Sequence, residues 1–399
     1  MLSLRRERGS SGDPGYKAKR PGLSQRARSL RNPALRNITF AAAALACLAI
    51  SVSAASASGS AAASGTANAQ AAINPYLSHA SDFPVKTALG GKLRKGTTFA
   101  FLECGNPICA LNAELLAPAV KAIGAKLKII NSGSTAASSQ SAAASALSLK
   151  PAAVLVLGLD LSIYGNGLKK LKAAGIKVVS ISETQPIKQF GITFNYVGLK
   201  PLETAGRLLA DWVITHKGPK ANVAFYGAPQ VPYTTQQEAA FTAELHKNCP
   251  SCTARFVSID ITTAGTTAPQ TIVTDLQSHP STNYMVVAPA ELAQGLPAAM
   301  QSAGLSVPDI GYSPEPEELQ DIKDGGMTAG LASDISTQTW AWVDATARLV
   351  LKEKPTAGEV AGFGPFQFLT QKQITFNPAM GWTGYPNYAK RFEKLWHTS

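Results

Sequence analysis

The sequence predicts an α/β protein of two similar lobes, each a parallel sheet flanked by helices, joined by a hinge. Three observations predict it. Short apolar runs rich in Val and Ile, beginning with Thr98–Leu102, Leu127–Ile130, Ala153–Leu157 and Val178–Ile181, alternate with amphipathic segments. Runs of that length read as strands buried on both faces, and the segments between them as the helices of βαβ units. The rhythm then restarts after Gly198 with Ala221–Tyr226, Phe256–Ile261 and Tyr284–Ala288. Finally, 399 residues at 45% apolar and 16% charged suffice for two packed cores.

The elements follow in order. Residues 1–37 hold ten Lys/Arg and two Asp/Glu, a charge of +8, so the remainder carries only +4 of the net +12. With no basic face on the folded part, nucleic acid is not an expected partner. The basic lead runs into Ile38–Ala57, apolar and without charges, which ends on Ala55-Ser56-Ala57 like an A-x-A cleavage site. Residues 1–57 therefore read as a basic lead plus secretory signal peptide, and the protein as exported, either surface-associated or secreted. Retention of the segment as an anchor is one alternative. Lipidation at Cys47 is another, although Leu48-Ala49-Ile50 continues the apolar run where a lipobox would turn polar.

Residues 58–95 read as a Ser/Ala-rich flexible tether, Ser58–Ala72, and an extended lead-in. The first lobe spans 96–198 with 334–370. Its helices are placed at Leu111–Ile123, after Ser134 or Thr135 as N-cap, and at Tyr164–Ala174. The second lobe, 199–333, has helices at Pro201–His216, Thr235–Lys247, Thr267–Ser278, Leu292–Ala303 and Pro316–Asp324, with further strands at Ile310–Tyr312 and Met327–Leu331. Helix Thr337–Lys352 follows. The aromatic-rich tail, 371–399, crosses between the lobes. Hinge segments are expected near Gly198, near Ser333 and around Gln371–Thr375.

Parallel sheets bind ligands at the carboxyl ends of their strands, so chemistry is sought there. No Walker loop, complete dinucleotide loop or Gly-x-Ser-x-Gly elbow occurs, and none of the five histidines follows a strand directly. No cofactor, metal or catalytic residue is expected. Glu103, Asp160, Glu183, Glu291 and Glu315 do follow strands. They suit hydrogen bonding to a polar ligand, N-terminal helix charges or, as a remote alternative, an exported hydrolase using two of them. Cys104/Cys109 and Cys249/Cys252 are close pairs in an exported chain and read as local structural disulfides.

Pro151-Ala152-Ala153-Val154-Leu155-Val156-Leu157, Gly175-Ile176-Lys177-Val178-Val179 and Ala293-Gln294-Gly295-Leu296 followed by Ala303-Gly304 resemble the third-strand, fourth-strand and eighth-strand regions of type I periplasmic binding proteins. The resemblance is to the ribose-binding-like solute receptors. Lys390-Arg391-Phe392-Glu393-Lys394-Leu395-Trp396 resembles the tail of their actinobacterial branch. The resemblance covers roughly Gly96–Ser399. It implies a monomeric receptor that closes on a small ligand and passes it to the permease and ATPase subunits of an importer. A ligand-sensing ectodomain partnering a membrane kinase is the alternative.

The anchoring pattern of sugar binders is changed. Gln237 stands where Arg is expected, Pro289-Ala290 where Asn-Asp is, Ser313 and Ser182 where Asp residues are, and Ser333 where a hinge Gln is; Asn106 is retained. The implied ligand set is Asn106, Asp160, Ser182, Glu183, Gln230, Tyr233, Gln237, Glu291, Glu315 and Ser333, with Trp340 as an apolar wall or a core residue. Carboxylates and amides without Arg favour a hydroxyl- or amine-bearing ligand and disfavour an anion.

Overall fold

The computed structural model describes residues 63–78, 82–362 and 365–398. The basic lead, Ile38–Ala57 and Cys47 lie outside the described residues. The chain opens on α1 (63–73), then runs β1 (Thr98–Glu103), α2 (Pro107–Ala122), β2 (Lys126–Asn131), α3 (Ala136–Leu149), β3 (Ala153–Leu157), α4 (Gly167–Ala173), β4 (Lys177–Ile181), α5 (Ile187–Phe190) and β5 (Phe194–Tyr196). These strands form a parallel five-stranded sheet in the order β2-β1-β3-β4-β5. Phe99–Leu102 and Ala153–Val156 are buried on both faces, as their apolar runs require.

The second set is α6 (Leu199–Lys217), β6 (Asn222–Gly227), α7 (Pro232–Asn248), β7 (Thr253–Ser258), α8 (Ala268–Ser278), β8 (Tyr284–Ala288), α9 (Leu296–Ser302), β9 (Asp309–Tyr312), α10 (Pro316–Asp324) and β10 (Gly330–Ser333). Then come α11 (Ile335–Val350), α12 (Ala357–Val360), β11 (Phe366–Leu369) and α13 (Tyr388–Leu395). The second sheet has six strands in the order β11-β10-β9-β8-β6-β7, parallel except for the antiparallel β10–β11 pair. Helices cover both sheets, so the two-lobed α/β architecture read from the sequence is the observed one.

Several expectations are corrected. Residues 63–73 are helical rather than a flexible tether: Ala is the strongest helix former, and Ala69 and Ile73, four apart, are buried in the core. Helices α2 and α7 begin earlier than read, at Pro107 and Pro232, because proline fits the first helical position, where no N–H is needed. The edge strand β7 starts at Thr253. Ile259 and Ile261, read as strand, are buried around a 3-10 turn capped by Asp260. Leu292–Ala303 is broken by Gly295 into a 3-10 turn and α9.

The lobe boundaries also shift. Segment 366–369, assigned to the first lobe, hydrogen-bonds to β10 as β11 of the second sheet. Gln371–Thr375 is no hinge. Ile374 packs in the second-lobe core and Gln371 Nε2 donates to the Lys323 carbonyl at 2.9 Å. The chain instead crosses between lobes at Val197–Gly198, at Ser333–Ile335, between α12 and β11, and again before α13. Helix α11 packs on α2, β4 and α13 in the first lobe.

Candidate functional site

The carboxyl ends of the two sheets face one cleft of about 680 Å³, counting the space open at its mouth. Of that space only about 70 Å³ is open to the centre of a water-sized sphere, so the cleft as it stands is narrow. From the first lobe, the turn after β1 contributes Cys104 and Asn106, the start of α2 contributes Ile108 and Asn112, and β3 and β4 end in Leu157–Leu159 and Ile181–Ser182. From the second come Val231 and Tyr233 after β6, Glu291 after β8, Tyr312 and Ser313 at the end of β9, and Ser333 closing β10. Ile335 and Gln338 of α11 complete the wall.

Local chemistry fixes these positions. The Cys104–Cys109 disulfide, Cα atoms 5.7 Å apart, staples the turn that carries Asn106 into the first turn of α2. Cys249–Cys252 closes the end of α7 in the same way. Ser182 and Ser313 directly follow corresponding strands, β4 and β9, and both take left-handed backbone conformations, φ 58° and 57°. Non-glycine residues adopt that region at a cost, and its recurrence at both strand ends marks a constrained site. The Tyr233 and Tyr312 rings meet edge to face at 5.8 Å. Gln338 Nε2 donates to Ser333 Oγ at 2.6 Å, tying α11 to the end of β10.

Of the eleven ligand residues expected, Asn106, Ser182, Tyr233, Glu291 and Ser333 line the cleft, and six do not. Asp160 turns back to cap the next 3-10 turn, accepting from Ser162 N–H at 2.9 Å and Gln185 Nε2 at 3.1 Å. Burial opposes its charge, but these bonds outweigh it and hold its pKa low. Glu183 is buried beneath Ser182; burial, reinforced by Asp160, pushes its pKa up to about 7. Gln230 lies on an exposed turn. Gln237 is fully buried and lies beside the Tyr312 hydroxyl without full hydrogen-bond geometry. Glu315 caps α10 and borders an adjoining pocket. Trp340 is core, stacked on Trp396 at 5.2 Å.

Asn112, Tyr312 and Gln338 were not picked out. A signal existed for two of them: Asn112 sits on the buried face of α2, and Gln338 lies one turn after the helix-capping Asp334. Ser313 was noted as a changed anchor and does line the cleft.

The cleft is electrostatically one-sided. Among the described residues no Lys, Arg or His lines it, and Glu291, 2% exposed, is the carboxylate that does. Burial, then neighbouring Glu318, pushes the Glu291 pKa up to about 7, against a hydrogen bond from the Ile108 N–H across the cleft. Among the described residues no group of His, Cys, Asp and Glu could hold a metal ion.

The periplasmic binding protein domain family matches residues 105–354. No curated protein matches the chain in sequence. Similar solved structures include an ABC transporter solute-binding protein of Agrobacterium vitis with bound allitol, at 18% identity and TM-score 0.62, covering 70% of this chain and 97% of that one. A carbohydrate transporter of Acidothermus cellulolyticus in complex with myo-inositol gives 16% and 0.59, covering 75% and 99%. An ABC sugar transporter subunit of Rhodobacter sphaeroides gives 17% and 0.61, covering 70% and 99%. At these identities the likeness shows the fold.

Proposed function

Because the chain belongs to the periplasmic binding protein family, we propose that it captures a small hydroxyl-bearing solute between its lobes, outside the cytoplasm, for the permease and ATPase of an importer. The observation that carries this reading is the cleft itself. Asn106, Asn112, Ser182, Ser313, Ser333 and Gln338 ring it with neutral donors and acceptors around the tyrosine pair. Such groups recognise hydroxyls, and an edge-to-face aromatic pair offers an apolar wall to a ring or carbon chain. The allitol and myo-inositol of the two relatives are polyols of this kind.

The reading is of a binding protein rather than an enzyme. A two-carboxylate hydrolase needs two carboxyl groups flanking the bond to be broken. Glu291 is the one carboxylate among the lining residues, and Asp160 and Glu183 are engaged elsewhere. Two disulfides support an oxidising, extracytoplasmic setting. The working cycle would be hinge closure: ligand selects the shut arrangement, and the importer reads that shape. We take the working form to be a monomer.

A thermal-shift screen of the full chain against sugars, polyols and amines tests this. Ligand at about a hundred times its Kd adds about 2.7 kcal/mol of stability. One chemical class should raise the Tm, and Asn106→Ala and Gln338→Ala should each remove the rise. A folded chain that responds to none of these solutes would overturn the reading.

A further inference from the structure

The second-lobe side of the cleft holds more buried acid than the fold neutralises. Glu291, 2% exposed, lines the cleft, and its Oε2 has no hydrogen-bond partner. Glu315 and Glu318 lie close by, 9% and 0% exposed. Glu318 Oε2 accepts from the Glu315 N–H at 2.8 Å, while its Oε1 has no hydrogen-bond partner. Each acid makes charge on another harder to hold. After burial itself, Glu318 acts on Glu291, and Glu291 and Glu318 act on Glu315.

The groups facing this cluster supply little relief. They are the Ile108 N–H of α2, the Glu315 and Glu318 N–H groups of the α10 capping box, the Gln294 side chain beside Glu318, the tyrosines Tyr233 and Tyr312, and the Glu317 carboxylate, which adds like charge. Among the described residues no cation lines the cleft. Gln237, where the sugar binders' Arg is expected, is an uncharged amide behind Tyr312. A buried carboxylate is held at low cost only beside a positive charge or several donors.

We infer that the solute carries an amine, as an amino sugar or hydroxylated alkylammonium does, and that the cationic nitrogen seats on Glu291 Oε2 against the Tyr233–Tyr312 pair. This rests on the solute-receptor reading of the same cleft and narrows its substrate class. A polyol hydroxyl can donate to Glu291 but gives its ionised form no opposite charge. An ammonium supplies the missing charge and is attracted to aromatic faces as well. The ring of neutral amides and hydroxyls then reads the remainder of the molecule. Since the Glu291 carboxyl holds its proton up to about pH 7, cation binding expels that proton and weakens as pH falls below 7.

Calorimetric titration of the full chain with matched pairs tests the inference: D-glucosamine against D-glucose, and choline against its uncharged isostere 3,3-dimethylbutan-1-ol. The charged member of a pair should bind at least tenfold more tightly. Choline keeps its charge at every pH, so its affinity should fall up to about tenfold between pH 8 and pH 6. Glu291→Gln should remove most of the charged-over-neutral preference, with an unreduced Tm at pH 8 showing that the variant folds. Equal or tighter binding of the neutral members overturns the inference and leaves the receptor reading standing. So does a preference unchanged in Glu291→Gln, or a Tm raised by myo-inositol with neither charged probe bound. A chain that binds none of these solutes, charged or neutral, contradicts both readings.

Discussion

Ser182 and Ser313 repeat one device at the ends of β4 and β9: a left-handed residue that turns the chain at the cleft wall. Glycine adopts that conformation without the Cβ penalty. Ser182→Gly and Ser313→Gly should therefore each stabilise the fold by up to about 1 kcal/mol in urea denaturation, while removing a cleft hydroxyl and weakening ligand binding. Glu291 makes the opposite compromise. Its folded pKa, about 7, lies above the ordinary 4.5, so its contribution is fully present below about pH 4.5 and is lost as pH rises through 7. Glu291→Gln should leave the Tm nearly unchanged near pH 4.5 and raise it by a few degrees at pH 8, in scanning calorimetry at both values. At this scale the sequence revealed only part of the cleft. Glu291 was found because it follows a strand, whereas Asn106, Ser182 and Ser333 came from the anchoring positions that the resemblance implies. Asp160 follows β3 just as directly, but its own backbone capping claims its carboxylate. Gln338 lies one turn after the capping Asp334, a local signal, but that its helix borders the cleft is set by tertiary packing.

Strands and most helices were legible, because a parallel sheet buried on both faces leaves continuous apolar runs and its helices end on Gly124, Gly175 and Gly304. What failed were elements whose partners lie far along the chain. Helix α1 looks like a tether because Ala, Ser and Gly dominate it. It docks through Ala69 and Ile73, and a Cβ at Gly65 would come within 1.9 Å of the Asn248 carbonyl oxygen. Gly65→Val should therefore undock α1 and lower the Tm, with loss of amide protection over 63–73 in hydrogen exchange and little change in solute affinity. β11 was misassigned because an antiparallel return strand carries no local sign of which sheet it joins. The Cys104–Cys109 link acts at the same scale. It closes a short loop, with a sequence separation of 5, which is worth about 2 kcal/mol. The Cys104→Ser/Cys109→Ser pair should lose about that much stability and also bind solute more weakly, since Asn106 and the start of α2 are no longer stapled together.

The whole molecule is organised by the place where its crossings meet. Asp334, fully buried between β10 and α11, accepts from Thr337 N–H at 2.9 Å, and from the Thr383 hydroxyl and Gly384 N–H, both at 2.9 Å. Its own N–H donates to the Pro365 carbonyl at 3.3 Å. One residue thus joins three of the crossing segments, two through its carboxylate and the third through its backbone N–H. The fourth lies beside them: a Cβ at Gly362 would sit 3.0 Å from Val197 Cα. Asp334→Asn replaces an acceptor oxygen with a donor amide facing other donors, which should cost about 1–3 kcal/mol in urea denaturation and loosen the register of the lobes. If these crossings form a hinge, the lobes turn about them and the solute bridges Asn106 and Gln338 to Tyr312 and Glu291. The direct measurement is small-angle X-ray scattering of the chain with and without a saturating solute found by the thermal screen. The account predicts a smaller radius of gyration only when solute is bound, with the change absent in Asn106→Ala at the same solute concentration. A solute that binds tightly and leaves the scattering curve unchanged would contradict closure of the lobes on the cleft.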